Sequence, residues 1–311
     1  MHYTGTIWRP PYEADSLLLE ATADCTHHCC KFCTLYENLP FRFRMSPLED
    51  IEADLREAQL WACDPLARLS AQLQGLPRPE GPRRVFLVGA NPFVLLPQRL
   101  EAIAQKIRDY LPACQTIGCF SRVTDIALKT HEELQRLRQL GFDNLTIGVE
   151  TADDEALAFM DKGYTAEEAL RQVKRLDEAG ISYSFLYLAG ISGAGLGRRG
   201  ALASADWFNQ TRPRIIGSSM LTVYPESRLY SEIQAGRWRE ESELEKLEEV
   251  RLLVERLEIP VRFATLGASN AVQVDGTLPR DRRQMLAHLA AVCRSENETE
   301  LRRYRTSLRH L

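Results

Sequence analysis

Four cysteines fall within nine residues of the sequence: Cys25, Cys29, Cys30 and Cys33. Thiolates spaced this closely are the usual ligands of iron–sulfur clusters. A [4Fe–4S] cluster has four irons, so three protein thiolates leave one iron open, and an open iron can bind a small molecule. The loop therefore predicts chemistry at a cluster rather than simple electron storage.

Two sets of three ligands can be drawn from these cysteines. Cys25, Cys30 and Cys33 are separated by four and two residues, whereas Cys25, Cys29 and Cys33 are separated by three and three. We favour the first set because it keeps two residues between the last two ligands and an aromatic, Phe32, before the final one. Cys29 is then a spectator thiol. A zinc site or a disulfide is the alternative, although zinc sites usually combine two Cys-x-x-Cys pairs or add histidines.

The elements that must position this loop alternate between apolar strands and amphipathic helices. Strands are predicted at residues 16–23, 84–89, 116–121, 144–150, 182–189, 215–223 and 261–266. Strands separated by helices predict right-handed crossovers and a parallel sheet. We expect an α/β protein with a partial (β/α)6 TIM-like barrel of mostly parallel strands, whose site lies at the carboxyl ends of the strands.

The length of 311 residues leaves room for an addition to the barrel. We expect a barrel domain over residues 1–270 and a C-terminal helical extension over 271–311, packed on the barrel. The glycine-rich segment 193–200 predicts a mobile substrate lid. The charge-rich run 237–256 predicts a solvated helix with charge pairs four residues apart.

Composition excludes several functional classes. A net charge of −4 lacks the excess of positive charge that is typical of nucleic-acid-binding proteins. No run approaches ~18 apolar residues, so no membrane span is expected, and the first residues lack the apolar run of a secretory signal. Eight cysteines are too few for a disulfide scaffold of this length. We therefore expect a cytoplasmic, reducing setting, in which the scattered cysteines are buried or plain thiols: Cys63, Cys114, Cys119 and Cys293.

The cysteine loop and its surroundings resemble the radical S-adenosylmethionine (SAM) superfamily, over roughly residues 15–280. The usual motif of that superfamily separates its cysteines by three and then two residues, so this chain has one extra residue in the first gap. A branch with the Cys-x4-Cys-x2-Cys spacing is similar here, with a core like those of the coproporphyrinogen-oxidase and elongator groups. It shares the segments Cys33-Thr-Leu-Tyr36 and Pro40-Phe41-Arg42.

The resemblance implies an enzyme with two cofactors, a [4Fe–4S] cluster on Cys25, Cys30 and Cys33 and SAM at the open iron. Such enzymes cleave SAM reductively to a 5′-deoxyadenosyl radical, which abstracts hydrogen from a substrate. The cofactors carry the hard chemistry, while the protein orients them and excludes water. The implied partners are an electron donor such as flavodoxin or ferredoxin and, we expect, a small-molecule substrate that the sequence does not name.

The resemblance also places SAM at the strand ends. The segment from Gly89 to Asn91 would bind the methionyl amino group through backbone carbonyls, because glycine lets the backbone approach closely. The Asn91 side chain could also accept a hydrogen bond. Arg122 would pair with the SAM carboxylate, and Glu150 would accept the ribose hydroxyls. Each role has a structural alternative. Tyr36 could be an ordinary core aromatic, and residues 89–91 could form a simple strand-to-helix turn. Arg122 could be a solvated surface arginine, and Glu150 could form a salt bridge at the barrel rim. The full implied set is Tyr36, Gly89, Ala90, Asn91, Ser121, Arg122, Glu150 and Gly190.

Two other functions stay open. Modification of a macromolecule, such as tRNA or a peptide, is disfavoured by the acidic balance and by the lack of a second cysteine cluster. A non-enzymatic haem or cluster carrier of the same fold is the other. Haem would need an axial ligand, and His2, His131 and His288 offer no persuasive site.

Overall fold

The computed structural model describes residues 1–62, 64–74, 81–295 and 297–308. Cys63, one of the scattered cysteines, lies outside the described residues. Contacts divide the chain into two compact units. The first comprises residues 1–26, 39–146 and 179–181, and the second comprises 27–38, 147–178 and 182–311. The cysteine loop therefore begins in the first unit and continues in the second.

The first unit is built around a buried central strand. Its strands are β1 (Leu17–Glu20), β2 (Thr22–Ala23), β3 (Arg44–Met45), β4 (Arg84–Val88) and β5 (Thr116–Ser121), and its helices are α1 (Leu48–Ala62), α2 (Pro65–Leu73), α3 (Pro97–Tyr110), α4 (Val123–Ala127) and α5 (His131–Gln139). Strand β4 pairs in parallel with both β1 and β5. Four of its five residues are buried, as expected of a strand in a parallel sheet covered on both faces.

Local sequence explains where the helices of this unit lie. Helix α3 buries Leu100, Ile103 and Ile107, the spacing of a single helix face. Thr130 and Glu133 form a capping box at the start of α5, which satisfies two backbone N–H groups. Gly141 follows that helix with a φ of +94°, a conformation that glycine adopts without steric cost.

The second unit continues the alternation of strand and helix. Its strands are β6 (Leu145–Glu150, whose first two residues belong to the first unit), β7 (Tyr183–Ala189), β8 (Ile215–Met220), β9 (Val261–Thr265) and β10 (Asp275–Leu278), and its helices are α6 (Asp154–Phe159), α7 (Ala166–Ala179), α8 (Gly197–Phe208), α9 (Arg228–Gln234), α10 (Glu243–Arg256), α11 (Arg282–Ser295) and α12 (Glu298–Thr306). Strands β7, β8 and β9 are parallel, and β10 is antiparallel to β9.

The described strands give a mostly parallel, eight-stranded sheet accompanied by helices. This confirms the predicted α/β class and its parallel strands. The C-terminal region after residue 270 contains the strand β10 as well as two helices, whereas the sequence predicts helices alone. No helix in the described ranges combines the length and the apolar character needed to cross a bilayer.

The prediction of a solvated helix over 237–256 is wrong. Helix α10 buries Lys246 completely and leaves Glu243 and Glu249 only 1% and 2% exposed. The Lys246 ammonium donates to Leu221 O at 3.0 Å and to Glu240 at 2.8 Å. Charge pairs four residues apart do occur, but only on the outer face of the helix. The inner charges are satisfied by partners elsewhere in the second unit.

In the glycine-rich segment 193–200, predicted to be a lid, the second half is the first turn of α8. A Cβ on Gly197 would lie 2.6 Å from a carboxylate oxygen of Glu241, and one on Gly200 would lie 2.5 Å from Ser192 Oγ. A side chain at either position would have to displace these side chains. The glycines therefore let α8 approach its neighbours, a structural reason that differs from the predicted lid.

Candidate functional site

Residues 27–38 of the cysteine loop are fixed in the second unit by backbone hydrogen bonds. The Cys33 N–H donates to Cys30 O at 3.2 Å, which closes a tight turn between two of the predicted ligands. The Lys31 N–H within this turn donates to Met160 O at 3.1 Å, and Lys31 O accepts the Leu229 N–H at 2.7 Å. The turn is thus held by the residue after α6 and by the start of α9.

Cys29 differs from its neighbours in exposure. Its side chain is exposed, whereas Cys25, Cys30 and Cys33 are partly buried. The Cys29 carbonyl accepts a hydrogen bond from Arg228 Nη1 at 2.8 Å, and the same guanidinium pairs with Asp161 at 3.0 Å. The backbone is therefore anchored at Cys29 while its thiol faces solvent, an arrangement that suits a spectator.

The donor set of the loop fits an iron–sulfur cluster. Its four cysteines carry thiols rather than disulfides, and thiolates are the donors that such clusters take. Within the described ranges, no group of three or more His, Cys, Asp or Glu side chains is placed to hold a single metal ion. A cluster differs from a single ion because each thiolate binds its own iron.

The amino-terminal end of the loop lies in the first unit and is held by side chains. Asp24 has a φ of +66°, and its Oδ1 accepts the Cys25 N–H at 2.6 Å. The Thr26 N–H donates to Asn91 Oδ1 at 3.3 Å, and Asn91 Nδ2 donates to Thr26 Oγ1 at 3.0 Å. Cys25 is thus flanked by two residues with fixed backbones.

Asn91, predicted to bind SAM, is fully buried and its amide is used within the protein. Besides the contacts with Thr26, its Nδ2 donates to both carboxylate oxygens of Asp125 at 3.1 Å. Gly89 has a φ of +116°, and a Cβ there would lie 2.1 Å from Thr22 O. Glycine is therefore required at position 89 by the approach of β2, whatever its backbone binds.

Ser121 and Arg122 link the end of β5 to α4. Ser121 is buried, and its hydroxyl donates to the Arg122 carbonyl at 2.9 Å. The Arg122 N–H donates to Asp125 at 2.8 Å, and its guanidinium donates to Thr124 Oγ1 at 2.9 Å. Arg122 caps α4 as well as being half-buried, so it is not the fully solvated arginine of the alternative interpretation.

Among the buried charges of the first unit that sequence reasoning missed are two on or just after α4. Asp125 is 1% exposed, and burial raises its pKa to about 6. Lys129 is 3% exposed, and burial lowers its pKa to about 8. Lys129 donates to the Phe93 and Asp125 carbonyls and lies 4.4 Å from the Phe93 ring centroid. The available signal was the acidic residue at the third position of a helix, which typifies a capping box.

Glu150, the predicted ribose ligand, lies in the second unit at the end of β6 with a φ of +67°. Its carboxylate pairs with the Lys162 ammonium at 3.4 Å, and that ammonium also donates to Gly148 O at 3.1 Å. The rim salt bridge, given above as the alternative, is therefore present. The carboxylate remains partly exposed, at 16%, so the pair does not occupy it fully.

Gly190 closes β7 with a φ of +90°. Its N–H donates to Glu249 at 2.7 Å, and a Cβ at this position would lie 2.9 Å from Lys246 Cε. Glu249 also accepts a hydrogen bond from the Tyr187 hydroxyl. Burial raises the pKa of Glu249. The sequence pointed to Gly190 but not to the helix α10 carboxylate that holds it.

The remaining predicted positions differ in how deeply they are buried. Ala90 is half-buried beside Gly89, and Tyr36 is half-buried within the second unit. Cys119 is fully buried, and burial raises the pKa of its thiol, as expected of an inert core cysteine. Cys114 and Cys293 are partly buried thiols.

Comparison with known proteins gives a family and a fold. The sequence pattern of the Radical SAM superfamily matches residues 19–194. No curated protein matches the chain.

Several solved structures are similar. Coproporphyrinogen III oxidase (HemN) from Escherichia coli has a TM-score of 0.54 at 16% identity, over 77% of this chain and 51% of that one. Methylornithine synthase (PylB) has a TM-score of 0.51 at 13% identity, over 93% and 85%. The radical SAM methyltransferase TsrM from Kitasatospora setae, with cobalamin and a [4Fe–4S] cluster bound, has a TM-score of 0.52 at 17% identity. The match covers 71% of this chain and 39% of TsrM. The chain thus spans about two fifths of TsrM. The likeness shows the fold and confirms the predicted partial TIM-like barrel.

Proposed function

We propose, because this chain belongs to the radical SAM superfamily, that its loop Cys25–Cys33 binds the cluster at which SAM is cleaved. The chain is an enzyme of this superfamily, whose cofactors are a [4Fe–4S] cluster and SAM. Bound there, these cofactors supply a 5′-deoxyadenosyl radical that abstracts hydrogen from a substrate. The protein contributes ligands, orientation and a site protected from water.

The observation that carries the proposal is the cysteine loop itself. Cys30 and Cys33 lie on one closed turn, and backbone contacts on both sides hold that turn in place. Cys29 projects to solvent. These features support Cys25, Cys30 and Cys33 as the three ligands, which leaves one iron for SAM.

The residues at the strand ends are proposed to bind SAM. In the first unit, the backbone at Gly89 and Ala90 would accept the amino group, and Arg122 would pair with the carboxylate. Ser121 and Asn91 shape this region through their hydrogen bonds within the protein. In the second unit, Glu150 would accept the ribose hydroxyls, and Tyr36 and the Gly190 backbone would contact adenine.

Partners and setting follow from the chemistry. A one-electron donor such as flavodoxin or ferredoxin must reduce the cluster, and a reducing cytoplasm would keep the loop cysteines as thiols. The substrate is proposed to be a small molecule, since the net charge lacks the excess of positive charge that is typical of nucleic-acid-binding proteins. We further propose that residues 1–270 form the catalytic domain and 271–311 an extension packed on it.

Anaerobic reconstitution with iron and sulfide tests the ligand assignment. Iron content and the cluster absorbance are expected to be lost in Cys25→Ala, Cys30→Ala and Cys33→Ala, because each removes one thiolate donor. Cys29→Ala is the matched control, since it removes a neighbouring thiol of the same loop, and it should reconstitute like the wild type. Loss in C29A with retention in C30A would instead support the other set of three.

Turnover tests the activity. The reconstituted, reduced protein should bind SAM and release 5′-deoxyadenosine, and the three cluster-ligand variants should release none above background. Adding fractions of a metabolite extract would identify the substrate by the fraction that stimulates release. A fully reconstituted protein that binds no SAM would overturn the proposed function and favour a cluster carrier.

A further inference from the structure

The backbone after Cys25 is held by one side chain at two points. Asn91 Oδ1 accepts the Thr26 N–H at 3.3 Å, and Asn91 Nδ2 donates to Thr26 Oγ1 at 3.0 Å. The two contacts require opposite ends of the same amide. If the amide were flipped, its NH2 group would face the Thr26 N–H and that hydrogen bond would be lost, whereas the Thr26 hydroxyl could turn to donate to the amide oxygen.

The orientation of that amide is set by Asp125. Both Asp125 oxygens lie 3.1 Å from Asn91 Nδ2, so a flipped amide would bring a carbonyl oxygen against a carboxylate. Asn91 is 0% exposed and Asp125 is 1% exposed, so water cannot relieve such a conflict. One Nδ2 hydrogen can serve Thr26 while the other serves the carboxylate.

Asp125 is itself fixed by the start of α4. Its Oδ2 accepts the Arg122 N–H at 2.8 Å, within the capping box of that helix. The Lys129 ammonium, which lies one turn further on, donates to the Asp125 carbonyl at 3.3 Å. A continuous chain of hydrogen bonds therefore runs from the backbone of α4 through Asp125 and Asn91 to Thr26.

We propose that Asp125 is a positioning residue for the first cluster ligand: by orienting the Asn91 amide, it fixes Thr26 and with it the backbone of Cys25. The inference rests on the proposed function, because it takes Cys25 to be a ligand. It adds a residue distant in sequence from the cysteine loop, and it gives the side chain of Asn91 a role other than contact with SAM.

Two variants separate this role from simple stability. Asp125→Asn keeps the shape of the side chain and can still accept the Arg122 N–H, but it no longer dictates how the Asn91 amide is oriented. Glu13→Gln is the matched control: Glu13 is 1% exposed and hydrogen-bonded to Arg84 at 2.7 and 2.8 Å in the same unit. Glu13 makes no described contact with Asn91, Asp125 or Thr26.

The first measurement uses the protein before reconstitution. Pulsed alkylation with peptide mass spectrometry gives the modification rate of Cys25 relative to the exposed Cys29 of the same molecules. In D125N the Cys25 rate is expected to rise about fivefold, the change that corresponds to losing one hydrogen bond. In E13Q the ratio of the Cys25 rate to the Cys29 rate should equal that of the wild type, even if its melting temperature falls as much as that of D125N.

The second measurement follows reconstitution. D125N should hold less iron per chain or show a changed electron paramagnetic resonance spectrum on adding SAM, and E13Q should show neither change. The exchange variant N91D/D125N restores one carboxylate facing one amide, whereas N91D alone sets two buried carboxylates against each other. Recovery of the Cys25 rate in the exchange variant, relative to N91D, is expected.

The outcomes are distinguishable from failure of the proposed function. Wild-type alkylation rates and cluster properties in D125N would overturn the positioning role while leaving the cluster assignment intact. A wild-type protein that takes up no cluster would overturn the proposed function, and the alkylation ratio would still report whether Asp125 orders the backbone at Cys25.

Discussion

At the residue scale, several residues proposed to bind SAM also have a hydrogen-bond or ion-pair partner within the protein. Glu150 is the clearest case, since its carboxylate pairs with Lys162 at 3.4 Å yet stays 16% exposed. Lys162 is 5% exposed and lies 5.7 Å from the Phe32 ring centroid. A buried ammonium needs a counter-charge, so Glu150 has a structural role whether or not ribose binds to it.

Glu150→Gln separates the two roles. If Glu150 also accepts the ribose hydroxyls, the KM for SAM should rise about tenfold, since a charged acceptor binds hydroxyls more strongly than an amide does. Removing the counter-charge of Lys162 should also lower the free energy of unfolding by about 1–3 kcal/mol. The two effects are measured by 5′-deoxyadenosine release against SAM concentration and by urea denaturation.

The control is Glu155→Gln, which removes an exposed glutamate that pairs with Arg199 in the same unit. Exposed pairs contribute about 0–1 kcal/mol, so this variant should keep both the KM and the stability of the wild type. A destabilised E150Q with an unchanged KM for SAM would assign Glu150 to Lys162 alone.

At the scale of elements, two buried carboxylates where α8 and α10 meet have an unusual environment. Glu241 and Glu249 are 1% and 2% exposed, and both face Gly197 of α8. Burial, followed by the charge of the other carboxylate, raises the pKa of Glu241, and burial raises that of Glu249. Two buried like charges cannot both ionise cheaply, so the folded pair retains a proton.

This pair predicts how stability depends on pH. In the unfolded chain both carboxyls titrate near a pKa of about 4.3. The folded state keeps the proton to higher pH, so it binds more protons than the unfolded state and stability falls as pH rises above that value, by up to about 1.4 kcal/mol per pH unit for one proton. Three other groups surround the pair. The Tyr187 hydroxyl donates to Glu249. The charge of Lys246 lowers the pKa of both carboxyls, and the charge of Glu245 raises the pKa of Glu241.

Urea denaturation between pH 5 and 8 measures this dependence. Glu241→Gln replaces one carboxyl by a neutral group of the same shape, so its stability should fall less steeply with pH than that of the wild type. Glu248→Gln is the control, because Glu248 is next to Glu249 on α10 but is half exposed and pairs with Arg251. An E241Q profile parallel to that of the wild type would show that the pair does not titrate as a unit.

The elements also show what the sequence could supply. Strands such as β4 and β7 were predictable because runs of apolar residues identify buried strands, and capped helices such as α5 carry their own start signals. The burial of α10 was not predictable. Glu243 is neutralised by Arg305, 62 residues further along the chain, and no local pattern reveals a partner that distant.

The candidate site divides in the same way. Cys25, Cys30 and Cys33 could be proposed from spacing alone, because cluster ligands lie close together in sequence. The partner of Asn91 could not, since Asp125 lies 34 residues away and looks like an ordinary helix cap. Sequence therefore allows the groups that are proposed to do the chemistry to be named, but not the groups that hold them.

At the scale of the whole molecule, the C-terminal region belongs to the second unit rather than adjoining it loosely. Strand β10 pairs with β9, and Arg305 of α12 inserts a guanidinium that is 3% exposed. That guanidinium donates to Glu243 at 2.7 Å and to Ser269 O at 2.7 Å. Arg305 thus completes the charge balance of helix α10.

Two arginines on α12 test this dependence. Arg305→Met leaves the Glu243 carboxylate buried with less neutralising charge, and removing one member of a buried pair costs about 3–5 kcal/mol. Arg302→Met, three residues earlier, removes a guanidinium that is 41% exposed and pairs with Glu240 and, more distantly at 3.4 Å, with Glu243. Because this guanidinium is largely in solvent and Glu243 keeps Arg305, the variant should cost about 1 kcal/mol or less. Urea denaturation measures both. Equal, small losses in R305M and R302M would mean that the C-terminal extension only covers the second unit, whereas the larger loss in R305M would make the extension part of its core.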